Sequence, residues 1–469
     1  MKKLAIIGIV LLCIQEVRGQ DSTYLFSYEK FMDQVRNHHP LAMQAELAVE
    51  RGEARLQRSR GGFDPKVFSQ ANQKYFDGTT YYRLWDSGLK IPTWYGIEVK
   101  GGFEKNDGTY LNPENSTSDG GFRYAGLSLP IGQRLFIDQR RASLKQAKIY
   151  QESTLAERRI LLNELLLEAG KAYWNWFEAY HTREVYEDAY LLSTERMRAI
   201  KSTAILGDRP FIDTLEAGIQ VQNRLLALQE ARMMEANARE LASVYLWNDG
   251  SIPLEIDAQT RPEDDEIDQF SFTDPALDTL SFNSDLPNLH PELERSRLKI
   301  DELKVEERLK REQLKPVVDL KYNLLTQPVG DEGLSELTAN NYQWGISFGI
   351  PIFLRKERGD LKLTRLKIQS AEWDLLAKRQ NIQYKLRSSF NEWETTRSQI
   401  SIMDKTVKDY SSLLEGERTM FDAGESSLFM INSRESAYIN SRIKLIQLVS
   451  KNQVANAKVK YALGNLSGR

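Results

Sequence analysis

The chain has a single cysteine, Cys13, and only four histidines in 469 residues. So little thiol excludes a disulfide framework and a thiolate metal site. His38, His39, His181 and His290 are scattered, without the His-Glu-x-x-His spacing that puts two imidazoles on one helix face, so no metal is expected. No Gly-rich loop ends in Gly-Lys-Ser/Thr and no Gly-x-Ser-x-Gly elbow occurs, which removes the common nucleotide and serine-hydrolase routes. Adjacent acids such as Asp264-Asp265 read as solvated loop charge. The chain is therefore read as non-enzymatic, with no catalytic residue and no cofactor. A surplus of one charge is missing too. The 63 basic residues meet 66 acidic ones, so the basic excess of a nucleic-acid binder is absent. Nor is there a run of about 18 apolar residues, the length a membrane-spanning helix requires.

The longest apolar run, residues 4–14, follows Lys2 and Lys3 and precedes Val17-Arg18-Gly19. A basic start, a short apolar core and a small residue at the cut predict a secretory signal peptide over residues 1–19. Leu12 before Cys13 is not the small residue that lipid attachment needs. Cleavage would remove Lys2, Lys3, Arg18 and Glu16, taking the net charge from −3 to −5 and leaving no cysteine.

What the sequence does contain is a repeat. His39-Pro40 recurs as His290-Pro291 and Pro65 as Pro316, both at an offset of 251. Each pair brackets one charged, periodic helix, with proline where a helix starts and again where it must end. Beyond this the offset becomes 217: Arg141 matches Arg358, Tyr173 Phe390, Trp176 Trp393, Gly207 Gly424, Leu246 Leu463 and Asn248 Asn465. The first copy thus carries about 34 extra residues between Pro65 and Arg141. Each copy reads helix, extended region, very long helix, glycine break, long helix. The repeats are expected over residues 20–248 and 289–466, with residues 249–288 as a linking segment. A stripe of Leu162, Leu166, Ala169, Tyr173, Trp176 and Tyr180, spaced 4, 3, 4, 3, 4, marks the first long helix, residues 138–206, as one with a narrow seam and two faces in water. Return helices are expected over 212–247 and 429–464.

Between the helices the period changes to two. Tyr342, Trp344, Ile346, Phe348 and Ile350 alternate with Gln343, Gly345, Ser347 and Gly349, and Val318, Leu320, Tyr322 and Leu324 with Asp319, Lys321 and Asn323. In the first copy Tyr95, Ile97, Val99 and Phe103 alternate with Gly96, Glu98, Lys100 and Gly102, and Ala125, Leu127 and Leu129 lie near the second arm. Strands apolar on one face and rich in aromatics suit either a soluble sheet or an outer-membrane barrel. Four strands per chain cannot close a barrel, and open edges are not tolerated in lipid, so a spanning barrel would be shared, twelve strands from three chains being enough. A further candidate pair, residues 81–91 and 94–105, either adds to that barrel or folds outside it.

The duplicated His-Pro helix, the strands, the long helix with Ala172-Tyr173 and Trp176, the glycine break and the return helix resemble the TolC-type outer-membrane efflux proteins over residues 25–466. The resemblance implies an α+β membrane protein: a homotrimer whose β-barrel in outer-membrane lipid continues into a long periplasmic α-helical barrel in a Gram-negative cell. It implies a passive exit duct of a tripartite efflux pump or type I secretion system. The partners implied are a periplasmic adaptor and an inner-membrane RND or ABC transporter, with no nucleic acid. The segment after Ser251 would belong to a belt around the helical barrel. The glycine breaks would be the periplasmic tips that contact the adaptor, through Leu206, Gly207, Asp208 and Arg209 in one copy and Ala423, Gly424, Glu425 and Ser426 in the other. In that family an acidic ring often constricts the pore six and nine residues after the second glycine, with a basic residue two after it. Here those positions hold Met430, Ser433 and Ser426, while the first copy has Asp213, Glu216 and Arg209. The entrance is then expected to close on apolar Phe429, Met430 and Ile431, with charge from Asp213 and Glu216 if they face inward. Acids in a helix's first turn also simply favour its dipole. The competing assignment is a periplasmic coiled-coil adaptor or tether, although adaptors carry one hairpin between compact β domains, not two equal repeats.

Overall fold

The computed structural model describes residues 24–207, 209–264, 290–327 and 339–466. The expected signal segment with Cys13, Asp208 of the first tip, Asp265 and most of the linking segment lie outside them. The first copy contains α1 (Tyr28–His38), α2 (Pro40–Arg60), β1 (Lys66–Phe76), β2 (Thr79–Pro92), β3 (Glu98–Asp107), β4 (Phe122–Pro130), α3 (Gln139–Ile205) and α4 (Phe211–Ser243). Two short strands follow, β5 (Trp247–Asn248) and β6 (Ile252–Pro253). The second copy contains α5 (Pro291–Glu312), β7 (Val317–Thr326), β8 (Tyr342–Gly349), α6 (Arg355–Asp422) and α7 (Leu428–Ala462). No helix among the described residues is long and apolar enough to cross a membrane.

The repeat is visible at its corners. His39 and His290 cap α2 and α5 in the same extended conformation, and each ring Nδ1 accepts from the backbone N–H two residues on, Leu41 at 3.1 Å and Glu292 at 3.2 Å. Burial lowers the pKa of both imidazoles, which keeps them neutral and able to accept. The long helices α3 and α6 span 67 and 68 residues, each about 100 Å at 1.5 Å per residue.

Contacts divide the chain into two compact units that draw on both copies. One comprises residues 1–38, 169–272 and 396–454, the other 39–168, 273–395 and 455–469. In the first, Tyr173 is fully buried against Phe31 and Tyr28, its hydroxyl donating to Phe26 O at 2.9 Å and accepting from Glu263 N at 3.0 Å. Burial pushes this phenol's pKa well up, and that of Tyr28 to about 12. The stretch after Ser251 is thereby tied to the segment before α1, also through the bridge between Leu25 and Arg261.

In the second unit α2 packs on α3 through Leu56, Phe63, Leu144 and Ala147, and α3 on α5 through Ile137, Ala142, Val305 and Leu309. Ion pairs Lys310–Asp360 and Glu307–Arg365 join α5 to α6. The helices therefore lie in the order α2, α3, α5, α6. A separate core of Leu386, Trp393, Ala455, Val459 and Ala462 joins α6 to α7.

The narrow seam expected of α3 fails there, while α6 shows one. Ile382, Leu386, Ser389, Trp393, Thr396 and Ile400, spaced 4, 3, 4, 3, 4, are the buried positions of α6 through this stretch. On α3, Asn163, Leu165, Leu167, Trp174 and Phe177 are buried besides the stripe, and between residues 161 and 180 only Glu164, Glu168 and Asn175 are exposed. On α3 the additional buried positions have partners of their own, as where Trp174 packs on Tyr28 of α1 and its carbonyl accepts from Ser450 of α7.

Six strands form one antiparallel sheet in the order β1-β2-β3-β4-β7-β8. This corrects the expectation of four strands per chain. The candidate pair near residues 81–105 forms β2 and β3, paired along β1 and β4 on their outer sides. Residues 93–97, including Tyr95, form the turn between them, with Gly96 at φ 89°.

Candidate functional site at the sheet wall and hairpin tips

In an antiparallel sheet, residues paired across strands share a face, so register decides what each face offers. One row crosses the whole sheet as Val67, Leu89, Gly101, Ala125, Leu324 and Tyr342, and the next as Ile91, Val99, Leu127, Tyr322 and Trp344. Leu320–Ile346 and Val318–Phe348 extend this face toward the helices. Its large side chains, among them Val67, Trp85, Leu127, Trp344, Ile346 and Phe348, are exposed. The opposite face carries the row Lys66, Lys90, Lys100, Gly126, Asn323 and Gln343, followed by Phe68, Gly88, Gly102, Tyr124 and Leu325. Farther along, the Tyr124 hydroxyl donates to Asp86 at 2.8 Å. A sheet with one exposed apolar face and one mainly polar face can separate lipid from water.

The sheet is attached to the helices strand by strand. β1 leaves α2, β4 enters α3, β7 leaves α5 and β8 enters α6, so these four strands keep the lateral order of the four helices. At the helical end the turn between β2 and β3 rests on the same layer. Trp94 stacks on Phe63 at 4.2 Å, and Arg141 of α3 donates to Tyr95 O at 3.4 Å.

At the opposite ends of α3 and α6 lie the two glycine breaks. Gly207 and Gly424 have φ of 85° and 81°, a conformation that favours glycine. At the second tip Gly424 N donates to Phe421 O and Glu425 N to Met420 O, the six-to-one closure that ends a helix in a left-handed residue. Leu206, Ala423 and Glu425 are exposed, and among the described residues nothing beyond the chain neighbours lies within 4 Å of where either glycine's Cβ would be. Arg209 does not sit free: its guanidinium lies 4.0 Å over the ring of Phe421 and links the two tips. The Ser426 hydroxyl donates to Glu417, whose other oxygen is 3.5 Å from Arg434.

Beneath the tips the expected apolar seal divides. Phe429 is exposed and Met430 half-buried, but Ile431 is buried with Ile200, Ala217, Phe421 and Leu428 inside the chain. Ile431 therefore belongs to the core and faces no opening. Ser433 is exposed and Asp213 half-buried in the first turn of α4. Glu216 is engaged, its Oε1 accepting from Asn432 Nδ2 at 3.0 Å.

Sequence reading missed the group that holds this region. Arg196 of α3 donates to both carboxylate oxygens of Glu435 on α7 and to Asn432, whose amide reaches Glu216 on α4. Arg224 of α4 donates to Ser436 at 2.9 Å. A signal was present: at offset 217, Arg196 aligns with Leu413 and Glu435 with Gly218. Each member of this pair, one from each copy, stands where the other copy has an apolar or small residue. Among the described residues no three His, Cys, Asp or Glu side chains converge to hold a metal.

Residues 284–465 match the outer membrane efflux protein family. No curated protein matches the chain in sequence. Among solved structures, the Campylobacter jejuni CmeC outer membrane channel is similar at 16% identity and a TM-score of 0.65, over 93% of this chain and 85% of that one. The open state of the Neisseria gonorrhoeae MtrE outer membrane channel is similar at 15% identity and a TM-score of 0.66, over 94% and 89%. The Vibrio cholerae outer membrane protein VceC is similar at 12% identity and a TM-score of 0.64, over 93% and 96%.

Proposed function

We propose, for a chain that is TolC-type in fold throughout and in the family pattern of its second repeat, that three copies form a passive exit duct of a tripartite efflux pump or type I secretion system. The observation that carries this reading is the sheet: unbroken apolar and polar rows on opposite faces, each strand of the repeat joined to its own helix. Lipid would meet the apolar rows and water the polar ones. The helices would continue the water-filled wall, which accounts for a chain that is 28% charged.

The tips at Leu206, Gly207, Arg209, Ala423, Gly424, Glu425 and Ser426, with Asp208 next to Gly207 in sequence, are the surface we assign to a periplasmic adaptor. Phe429, Met430 and Ser433 on α7, with Asp213 and Glu216 on α4, are the candidates for the narrowest point. Energy and cargo choice would come from an inner-membrane RND or ABC transporter, and the chain supplies no catalytic group to the process.

Fractionation tests the assignment. The protein is expected in the outer membrane of a Gram-negative host, extracted by detergent as a trimer that boiling in SDS dissociates. Recovery as a soluble periplasmic monomer would overturn the duct and favour a coiled-coil adaptor.

A further inference from the structure

We propose that all six strands stand in the membrane wall, and that the wall closes by pairing β1 of one chain with β8 of the next, giving eighteen strands in a ring of three chains. The inference rests on the duct reading and goes beyond it, because the repeat itself accounts for only four of the six strands.

The hairpin β2–β3 is built as wall. It is hydrogen-bonded to β1 on one side and β4 on the other, and the rows Val67–Leu89–Gly101–Ala125 and Lys66–Lys90–Lys100–Gly126 both pass through it. Leu89 and Val99 fall on the face of Trp344, Lys90 and Lys100 on the face of Gln343. A hairpin folded outside the membrane would need neither alternation nor flanking pairs. Its turn also comes back to the helical layer, against Phe63 and Arg141, so the pair crosses the sheet in both directions.

The edges define the partner. β1 and β8 end the sheet order, and strand direction alternates throughout, so with six strands the two edges run oppositely. A β1 edge can therefore accept the β8 edge of a second copy as an antiparallel neighbour. Unpaired strand backbone cannot remain in hydrocarbon, which makes this closure obligatory if the sheet spans lipid. The helical layer agrees: its outer members expose Leu41 and Leu47 on α2, and Leu363, Leu366 and Trp373 on α6. Eighteen strands tilted by about 40° at about 4.8 Å spacing need a wall about 110 Å around. Twelve helices about 8–10 Å apart supply roughly 100–120 Å, so the two rings meet without a step.

The test uses the full chain with Cys13→Ser, assembled in outer membranes, with single cysteines spin-labelled at Leu89, Lys90 and Ile346. Collision with oxygen reports lipid and collision with a nickel chelate reports water. Labels at Leu89 and Ile346 are expected to favour oxygen by several-fold and the label at Lys90 the chelate. If Ile346 reports lipid and Leu89 water, the hairpin lies outside the wall and the eighteen-strand ring is wrong while the duct stands. If Ile346 also reports water, the duct reading itself fails. For closure, cysteine pairs scanned along Val67, Ser69 and Ala71 against Tyr342, Trp344 and Ile346 are oxidised. At least one pair is expected to give covalent trimers, and dimers or trimers from none would overturn the β1–β8 seam.

Discussion

Arg196 grips Glu435 through both guanidinium nitrogens, at 2.8 and 2.9 Å, with the two side chains only 14% and 4% exposed. The pair joins α3 to α7 directly beneath the apolar cluster that underlies the tips. Bidentate geometry in so dry a place fixes the two helices at one relative height, because a shift of one residue would break both bonds.

Removing only the cation leaves a buried carboxylate without its partner. Arg196→Leu, the residue at the matching position of the other copy, should cost about 3–5 kcal/mol of local stability. Arg196→Met with Glu435→Gln should recover most of it, since replacing both charges is far cheaper than orphaning one. Thermal dissociation of the purified trimer would read both variants. Equal melting of the single variant and the wild type would mean that the pair carries no stability.

Gly424→Val places a β-branched side chain at φ 81°, a strain of at least about 1–2 kcal/mol confined to the tip. Trimer melting should stay near wild type, because the strain falls in an exposed turn. Capture of the adaptor should weaken by tenfold or more. Gly424→Asn, which tolerates this conformation, should bind nearly normally. Unaltered adaptor binding by the valine variant would remove the tip from the contact.

Met430→Asp restores a carboxylate at the position where the resembling family often carries one. Three copies would put three charges around the opening. Single-channel recordings in planar bilayers should then show block by a trivalent cation that the parent lacks. If block is unchanged, Met430 does not line the constriction.

The paired histidine caps set a pH dependence. Both imidazoles have pKa values lowered by burial, so between those values and the ordinary 6.5 the unfolded chain binds more protons than the folded one. Stability is therefore full above about pH 6.5 and falls as pH drops through the lowered values, when Nδ1 protonates and stops accepting from Leu41 or Glu292. His39→Asn with His290→Asn keeps a cap oxygen without a titrating group. Melting measured from pH 7.5 to 5 should be flatter for this variant, and identical slopes would exclude the caps as its source.

The repeat was legible because two copies of one unit constrain each other. His-Pro, Gly207 and Gly424, and Trp176 and Trp393 stand at fixed offsets, and each marks a corner or a core that every copy must build. Alternation likewise marks β3, β4, β7 and β8, and the candidate pair adds β2, but nothing in the reading picked out β1. What it could not show was which strand sits beside which, since partners in β4 and β7 are nearly 200 residues apart. The seam of α3 was underestimated for a similar reason. Heptad spacing identifies a helix with one neighbour, whereas Trp174, off the stripe, packs on Tyr28 of α1. Ile431 looks like a pore residue from its distance to a glycine, and only packing reveals that it is sealed inside the chain.

One parity rule follows from the way strands and helices share an order. β1 must leave α2, and β4 must arrive at α3, at the same end of the sheet. Strands can be inserted between them only two at a time, since an odd number would deliver the chain to the far end with α3 out of reach. The width of the sheet can thus change only by whole hairpins, while the number of helices it joins stays fixed.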